Sequence, residues 1–187
     1  MELACVPDVP FAFPLPCASC NLEKANQHND GSQGLERQVE KLKNYPNSIL
    51  SWAIGRFVPY VGTSGVYFEK MTREEVIVSL KNRKKVRNHI KQIHAAAMML
   101  LAETATGMVV GMNIPDDKIP LVKSMKTNFV KRSTGAMWAA AQLTPEQIQL
   151  ILTTEKGEVT VPVTIIDEAQ IEPIIVEAVW AWIPRSR

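Results

Sequence analysis

Several things are scarce in this 187-residue chain, and each scarcity narrows its reading. No apolar run approaches the roughly 18 residues needed to cross a bilayer. The most lipid-like stretch, Ile49 to Val61, is interrupted by Arg56 and Pro59, so no transmembrane segment is expected. No basic residue precedes Lys24, no arginine precedes Arg37, and no apolar core follows a positive start. The beginning therefore does not read as a signal peptide or organelle address, and a cytoplasmic location is expected. Cysteine is limited to Cys5, Cys17 and Cys20. With His28 they contain a CxxC, but the spacing fits no recognised zinc pattern; free thiols and no metal site are expected. The formal net charge of +2 shows no polyelectrolyte preference, and no nucleic acid partner is expected. An apolar content of 46% over this length suffices for one full core.

The most informative scarcity is internal. Between Lys91 and Asp116 there is no Lys, Arg or Asp and a single acid, Glu103. It stands in NHIKQIHAAAMMLLAETATG, Asn88 to Gly107, where Ala95 to Ala102 are strong helix formers and Gly107 offers a stop. Two turns without a polar residue predict a helix buried all round, and a lone buried carboxylate is too costly to be incidental. His94 and Glu103, nine residues apart, are separated on an ideal helix by about 13.5 Å and roughly half a turn. They cannot pair within one chain. A site using both requires two copies, which predicts a homodimer or a tetramer built from it. At the helix start the N–H groups of Ala95 and Ala96 would be open to a developing oxyanion.

This arrangement resembles the hotdog-fold acyl-CoA thioesterases, and within that superfamily its poorly characterised thioesterase-like branch. Their central helix carries His-Gly-Gly followed by Leu-Ala-Glu, with Asn or Gln six positions before the His. The corresponding residues here are Asn88, His94-Ala95-Ala96 and Leu101-Ala102-Glu103. Phe129-Val-Lys-Arg-Ser-Thr-Gly135 is similar to the family's Phe-Leu-Arg-Pro-x-x-Gly strand end. The resemblance spans about Ser64 to Trp182. It implies an α+β hotdog fold, an antiparallel sheet wrapped around a central buried helix, with extra N-terminal helices. It further implies that Glu103 is general base or nucleophile, that the Ala95 amide polarises the thioester carbonyl, that Asn88 holds water or substrate, and that His94 is mainly positional. The implied substrate is an acyl-CoA or related thioester; coenzyme A enters as part of it and no other cofactor is expected. Its phosphates would meet the cations of Lys81-Asn-Arg-Lys-Lys-Val-Arg87, chiefly Lys84, Lys85 and Arg87, together with Lys131 and Arg132. A merely solvated loop is the competing reading of that cluster. The sequence departs from the family at three places: both glycines after the His are alanine, and the hydroxyl residue often found four places after the Glu is Gly107. A non-catalytic protein that binds acyl-CoA or a lipid-like ligand is the alternative. A hotdog dehydratase fits less well, since that branch spaces its His and acid differently and usually follows the His with Phe-Pro.

In chain order, residues 1–34 read as an irregular leader, with Pro7, Pro10, Pro14 and Pro16 opposing helix. Residues 35–60 read as a helical extension, interrupted by Pro46 with Asn44 or Asn47 as a cap, and 61–187 as the thioesterase-like domain. Trp52 and Phe57 in that extension read as packing residues, with an acyl-tunnel lid or a membrane contact as alternatives. Strands are predicted at Gly65–Lys70, Glu75–Leu80, Met108–Ile114, Leu121–Lys131, Ala136–Leu143, Val159–Ile166 and Ile174–Trp182. Thr144-Pro-Glu-Gln147 predicts a capped helix reaching about Thr154. Single histidines and loop asparagines often serve the backbone alone, so His94 and Asn88 also carry that plain reading.

Overall fold

A computed structural model describes residues 34–185. Residues 1–33 of the leader, and with them Cys5, Cys17, Cys20 and His28, lie outside the described residues, while Gly34 opens the first helix. Among the described residues five α-helices form: α1 (Gly34–Leu42), α2 (Asn47–Phe57), α3 (Pro59–Ser64), α4 (Ala95–Gly111) and α5 (Pro145–Thr153). Seven strands accompany them: β1 (Val66–Met71), β2 (Glu75–Leu80), β3 (Lys118–Phe129), β4 (Met137–Gln142), β5 (Gly157–Val161), β6 (Val163–Asp167) and β7 (Ile174–Pro184). The strands pair antiparallel in two groups, β1-β2-β4-β6 and β3-β7-β5, and both groups pack against α4.

Small side chains bring the sheets close to that helix. Ala97, Ala102 and Ala105 on α4 are buried, as are Ala139, Ala140 and Ala141 on β4, which contacts it. Val76, Val78 and Leu80 on neighbouring β2 complete the floor at zero exposure. Methyl against methyl leaves little void, which suits a core packed at crystal-like density.

Four expectations need correction. Gly107 does not stop the central helix, and the strand expected at Met108–Ile114 is instead its last turn and exit. Val109 and Val110 are fully buried there, so packing outweighs their β preference. Gly107 serves a different need: a Cβ at that position would lie 2.7 Å from the Trp180 ring, which lies on the bare backbone. The strand expected at Val159–Ile166 breaks at Pro162. Before it β5 pairs with β7, and after it β6 pairs with β4, so the chain changes sheets where one residue has no N–H to give a ladder. Neither asparagine caps α2: the N-cap is Pro46, with no side-chain cap bond, and Asn47 Nδ2 donates to the Glu69 carbonyl at 2.8 Å. Finally, β3 starts three residues earlier than expected, at Lys118.

That early start has a cause. The Lys118 ammonium is buried and donates to the carbonyls of Ile151, Leu152 and Thr154 at 3.0, 3.2 and 2.9 Å, capping the C-terminus of α5. The other end of α5 has the expected capping box, Thr144 with Gln147, and Pro145 in its first turn. Trp182 Nε1 donates to the Thr154 carbonyl at 2.8 Å, and Trp180 Nε1 to Thr106 Oγ1 on α4 at 3.0 Å. The last strand is thereby pinned to both helices.

Gly107→Ala sets two effects against each other: alanine gains up to about 1 kcal/mol of helix propensity, while its methyl must displace the Trp180 ring, at a cost of about 1–3 kcal/mol. The ring is buried and its Nε1 is bonded to Thr106, so net destabilisation is expected, read as a lower urea midpoint with unchanged slope.

Candidate functional site

The central helix is not buried all round. Ala96, Met99, Glu103 and Gly107, spaced by three and four residues, line one side of α4. Ala96 is exposed, Met99 is 36% exposed, and Glu103 and Gly107 are half-buried, whereas Leu101, Ala102 and Ala105 on the other sides are fully covered. The uncovered side thus carries the lone acid. The Glu103 carboxylate has no hydrogen bond or ion pair among the described residues, and its partial burial, uncompensated by any donor, raises its pKa above the ordinary carboxylate value.

At the start of α4, His94 is the N-cap, in extended conformation (φ −66°, ψ 143°). Its Nδ1 accepts the Ala96 N–H at 3.0 Å, and its carbonyl accepts from Ala97 at 2.8 Å and Met98 at 3.0 Å. Of the two amides expected to be open, Ala96 is therefore occupied, and Ala95 alone has no acceptor among the described residues. Both alanines are exposed.

Asn88 builds the approach to this start. Its Oδ1 accepts the N–H groups of Ile90 at 3.1 Å and Gln92 at 3.0 Å, and its backbone N–H donates to the Gln92 carbonyl at 2.8 Å. Lys91 completes the turn at φ 63°. The loop closes by a bridge between Arg87 and Ile93, and His94 N–H donates to the Val86 carbonyl at 2.8 Å. Asn88 thus serves the backbone with its oxygen, leaving the side-chain NH2 for other partners.

Within one chain these groups do not converge. Ala95 and Glu103, eight residues apart on the same helix, are separated by about 12 Å of rise. Lys84 and Lys85 sit exposed on a 3₁₀ turn with no acidic partner among the described residues. Arg87 is less available: its guanidinium donates to Asn82 Oδ1 at 2.8 Å and the Asn82 carbonyl at 2.7 Å, bracing the loop. Lys131 and Arg132 are exposed just past β3.

The loop holding that second pair is organised by a residue the sequence did not flag. Asp167, fully buried, accepts the Thr134 N–H at 2.7 Å with Oδ2, and those of Ala169 and Ile171 at 2.9 and 3.1 Å with Oδ1. Gly135 lies beside it at φ 63°, where a Cβ would strike the Glu168 carboxylate. Thr106 was also missed. Its hydroxyl contacts the Ala102 and Glu103 carbonyls at 2.9 and 3.2 Å while accepting the Trp180 indole, fixing the helix backbone at the acid itself. Nothing local in the sequence signals either role; Gly107 and the alternate tryptophans of β7 are the only trace. Among the described residues no three His, Cys, Asp or Glu cluster to hold a metal, and no helix is long and apolar enough to cross a membrane.

Comparison with known proteins places this geometry in a family. A domain of unknown function, DUF4442, matches residues 46–183. No functionally curated protein matches. Among solved structures, the chain is similar to a Pseudomonas aeruginosa protein of unknown function described as a probable thioesterase, with 21% identity over 75% of this chain and 97% of that one and a TM-score of 0.67. It is also similar to a thioesterase from Staphylococcus aureus, with 19% identity, 67% and 98% coverage and a TM-score of 0.58. A Haemophilus influenzae thioesterase gives 12% identity, 67% and 82% coverage and a TM-score of 0.55. The wrapped central helix, the two antiparallel strand groups and these likenesses together make the chain a member of the DUF4442 family with the hotdog fold of thioesterase-family proteins.

Proposed function

We propose that the chain hydrolyses an acyl-CoA or related acyl thioester at a site shared between two copies, with Glu103 as its base. One observation carries this reading: the sole acid of the central helix, partly desolvated and without a cation among the described residues, lies on the side of that helix that those residues leave uncovered. A purely structural carboxylate would be paired or fully solvated. The Staphylococcus aureus thioesterase structure is that of a variant with alanine in place of a glutamine, and a second structure of that protein has alanine in place of a glutamate. Those two positions are fifteen residues apart, the separation between Asn88 and Glu103 here.

In the proposed reaction ionised Glu103 takes a proton from water as its oxygen bonds to the thioester carbon. The carbonyl becomes an oxyanion, held by the Ala95 N–H of a second copy. Collapse breaks the C–S bond, and the departing thiolate takes the proton from Glu103, leaving free acid and thiol. Direct attack by the carboxylate, followed by hydrolysis of the resulting anhydride, uses the same groups. The Asn88 side-chain NH2 is the group free to hold the water or the carbonyl, since its oxygen is bound to the loop. Lys84, Lys85, Lys131 and Arg132 would meet the coenzyme A phosphates; the bracing of Arg87 gives it a smaller part. One observation favours the non-catalytic alternative. The exposed methyls of Ala95 and Ala96 stand where the hotdog acyl-CoA thioesterases that the sequence resembles carry glycine, and narrow the approach to the amide.

Thiol release from short, medium, long and aromatic acyl-CoAs tests this reading. Glu103→Gln, which keeps size and removes charge, is expected to lower kcat/KM by about 10²-fold or more. With no release from any substrate and thermal stabilisation by acyl-CoA in both proteins, the chain would be a binding protein.

The pH dependence carries a sign. The active form is the deprotonated one, so the rate should rise with pH through a value above the ordinary carboxylate range. An inflection at or below that range would remove Glu103 as the base.

Ala95→Pro isolates the oxyanion donor. Proline is favoured in the first turn, and His94 already has the extended conformation a residue before proline requires. The substitution removes one N–H and no other hydrogen bond. Activity should fall by about 10²–10³-fold with thermal stability retained; unchanged activity would exclude that amide.

A further inference from the structure

A cavity of about 600 Å³ lies away from Glu103, between α1, α2 and the C-terminal end of α4. We propose that it is a binding site for one unbranched aliphatic chain with a carboxylate head, a free fatty acid, with the head at Arg185. The volume falls within the range of small-molecule sites. Leu35, Val39, Leu50, Ile54 and Ile114 give it flexible aliphatic walls, and Phe57, 82% exposed, stands at an open edge. Its polar lining is confined to Gln38, Asp116, Lys118 and Arg185. A ligand there must be apolar along its length and polar at one end, because a polar group in the aliphatic part would be desolvated without a partner.

Charge selects the head. Lys118 spends its ammonium on three α5 carbonyls. Asp116 accepts the Gly34 N–H at 2.5 Å and pairs with Arg37 at 3.1 Å. Arg185 lies beside them, its backbone N–H donating to the Asp117 carbonyl at 2.7 Å, while its guanidinium has no partner among the described residues. One unspent cation at the polar end of an aliphatic cavity fits one carboxylate.

This site is separate from the proposed catalytic one. Its nearest wall residue on α4, Met108, lies five residues beyond Glu103, about 7.5 Å along the axis and about 140° around it. A chain with its head at Arg185 cannot present a thioester to Glu103, so the site suits a released acid, and its existence does not depend on turnover.

Calorimetric titration of the full chain with octanoate, decanoate and dodecanoate tests it. Saturable one-to-one binding is expected, tightening about fourfold per methylene. Gln38→Trp and Ala53→Trp, which fill the cavity from exposed α1 and half-buried α2, should abolish it. If circular dichroism shows Ala53→Trp unfolded, Gln38→Trp alone decides. Arg185→Glu should weaken binding at least about tenfold, and dodecyltrimethylammonium should bind no better than that variant. Glu103→Gln should bind dodecanoate as the native protein does, even if neither protein releases thiol. The proposal is overturned by absent saturable binding, by binding that survives the tryptophan variants or ignores Arg185, or by loss in Glu103→Gln, which would put the ligand on the open side of α4.

Discussion

The closeness with which two sheets approach one helix governs the rest of this structure. Buried alanines line both α4 and the β4 strand packed on it, and on the β7 side a tryptophan ring lies where Gly107 has no side chain. Both contacts fix the rotation of α4 about its axis. A turn of one residue, about 100°, would carry Glu103 into the core without a partner and bring the buried Ala102 or Thr104 out of it. Packing and charge therefore favour the same setting, and agreement between local and global preferences is what distinguishes a single native arrangement from several competing ones. The Trp180–Thr106 hydrogen bond reinforces that setting beside the acid's own carbonyl.

The electrostatic consequence follows from that rotation. Glu103 is desolvated enough to resist ionisation but not enough to be sealed off. Its folded-state pKa lies above the unfolded value, so the native state holds the proton more tightly. Stability attributable to this group is greatest at low pH and declines as pH rises from the ordinary carboxylate value through the raised one, where the fold must carry an unpaired charge. Covering the open side with a second copy would remove more water and push the group further in the same direction. A carboxylate left costly at neutral pH is a better proton acceptor than one stabilised by an ion pair, which links the destabilising feature to the proposed chemistry.

Much of this was legible because it rests on local pattern. The helix around Glu103, the Thr144–Gln147 capping box and the strands of alternating β-branched residues all follow from spacing and residue type. The failures share another origin. Gly107 and the following valines were misread because their conformation is decided by Trp180, over seventy residues away. The break at Pro162 was missed because a run of β-branched residues looks continuous until its two halves find different partners. Asp167 gave no signal, since nothing in sequence shows which N–H groups a turn will leave orphaned. The candidate site residues could be named one by one from their spacing. Their division of labour was not: that His94 consumes the Ala96 amide, and that Asn88 has only its NH2 to offer, are facts of hydrogen bonding.

That division also bears on which group can act as base. His94 is exposed, and a histidine near a candidate site is the usual first choice. Its Nδ1, however, accepts the Ala96 N–H, which in the neutral ring places the proton on Nε2. To take a proton, the imidazole would have to protonate the nitrogen that caps the helix and abandon a bond worth about 1 kcal/mol. The helix start would loosen just where Ala95 is proposed to hold an oxyanion. Glu103 has no such competing duty: its carboxylate has no hydrogen bond or ion pair among the described residues, and it sits on a backbone fixed by Thr106 and Trp180. With the histidine nitrogen committed to the helix cap, the carboxylate is the group that the proposed reaction leaves to move a proton.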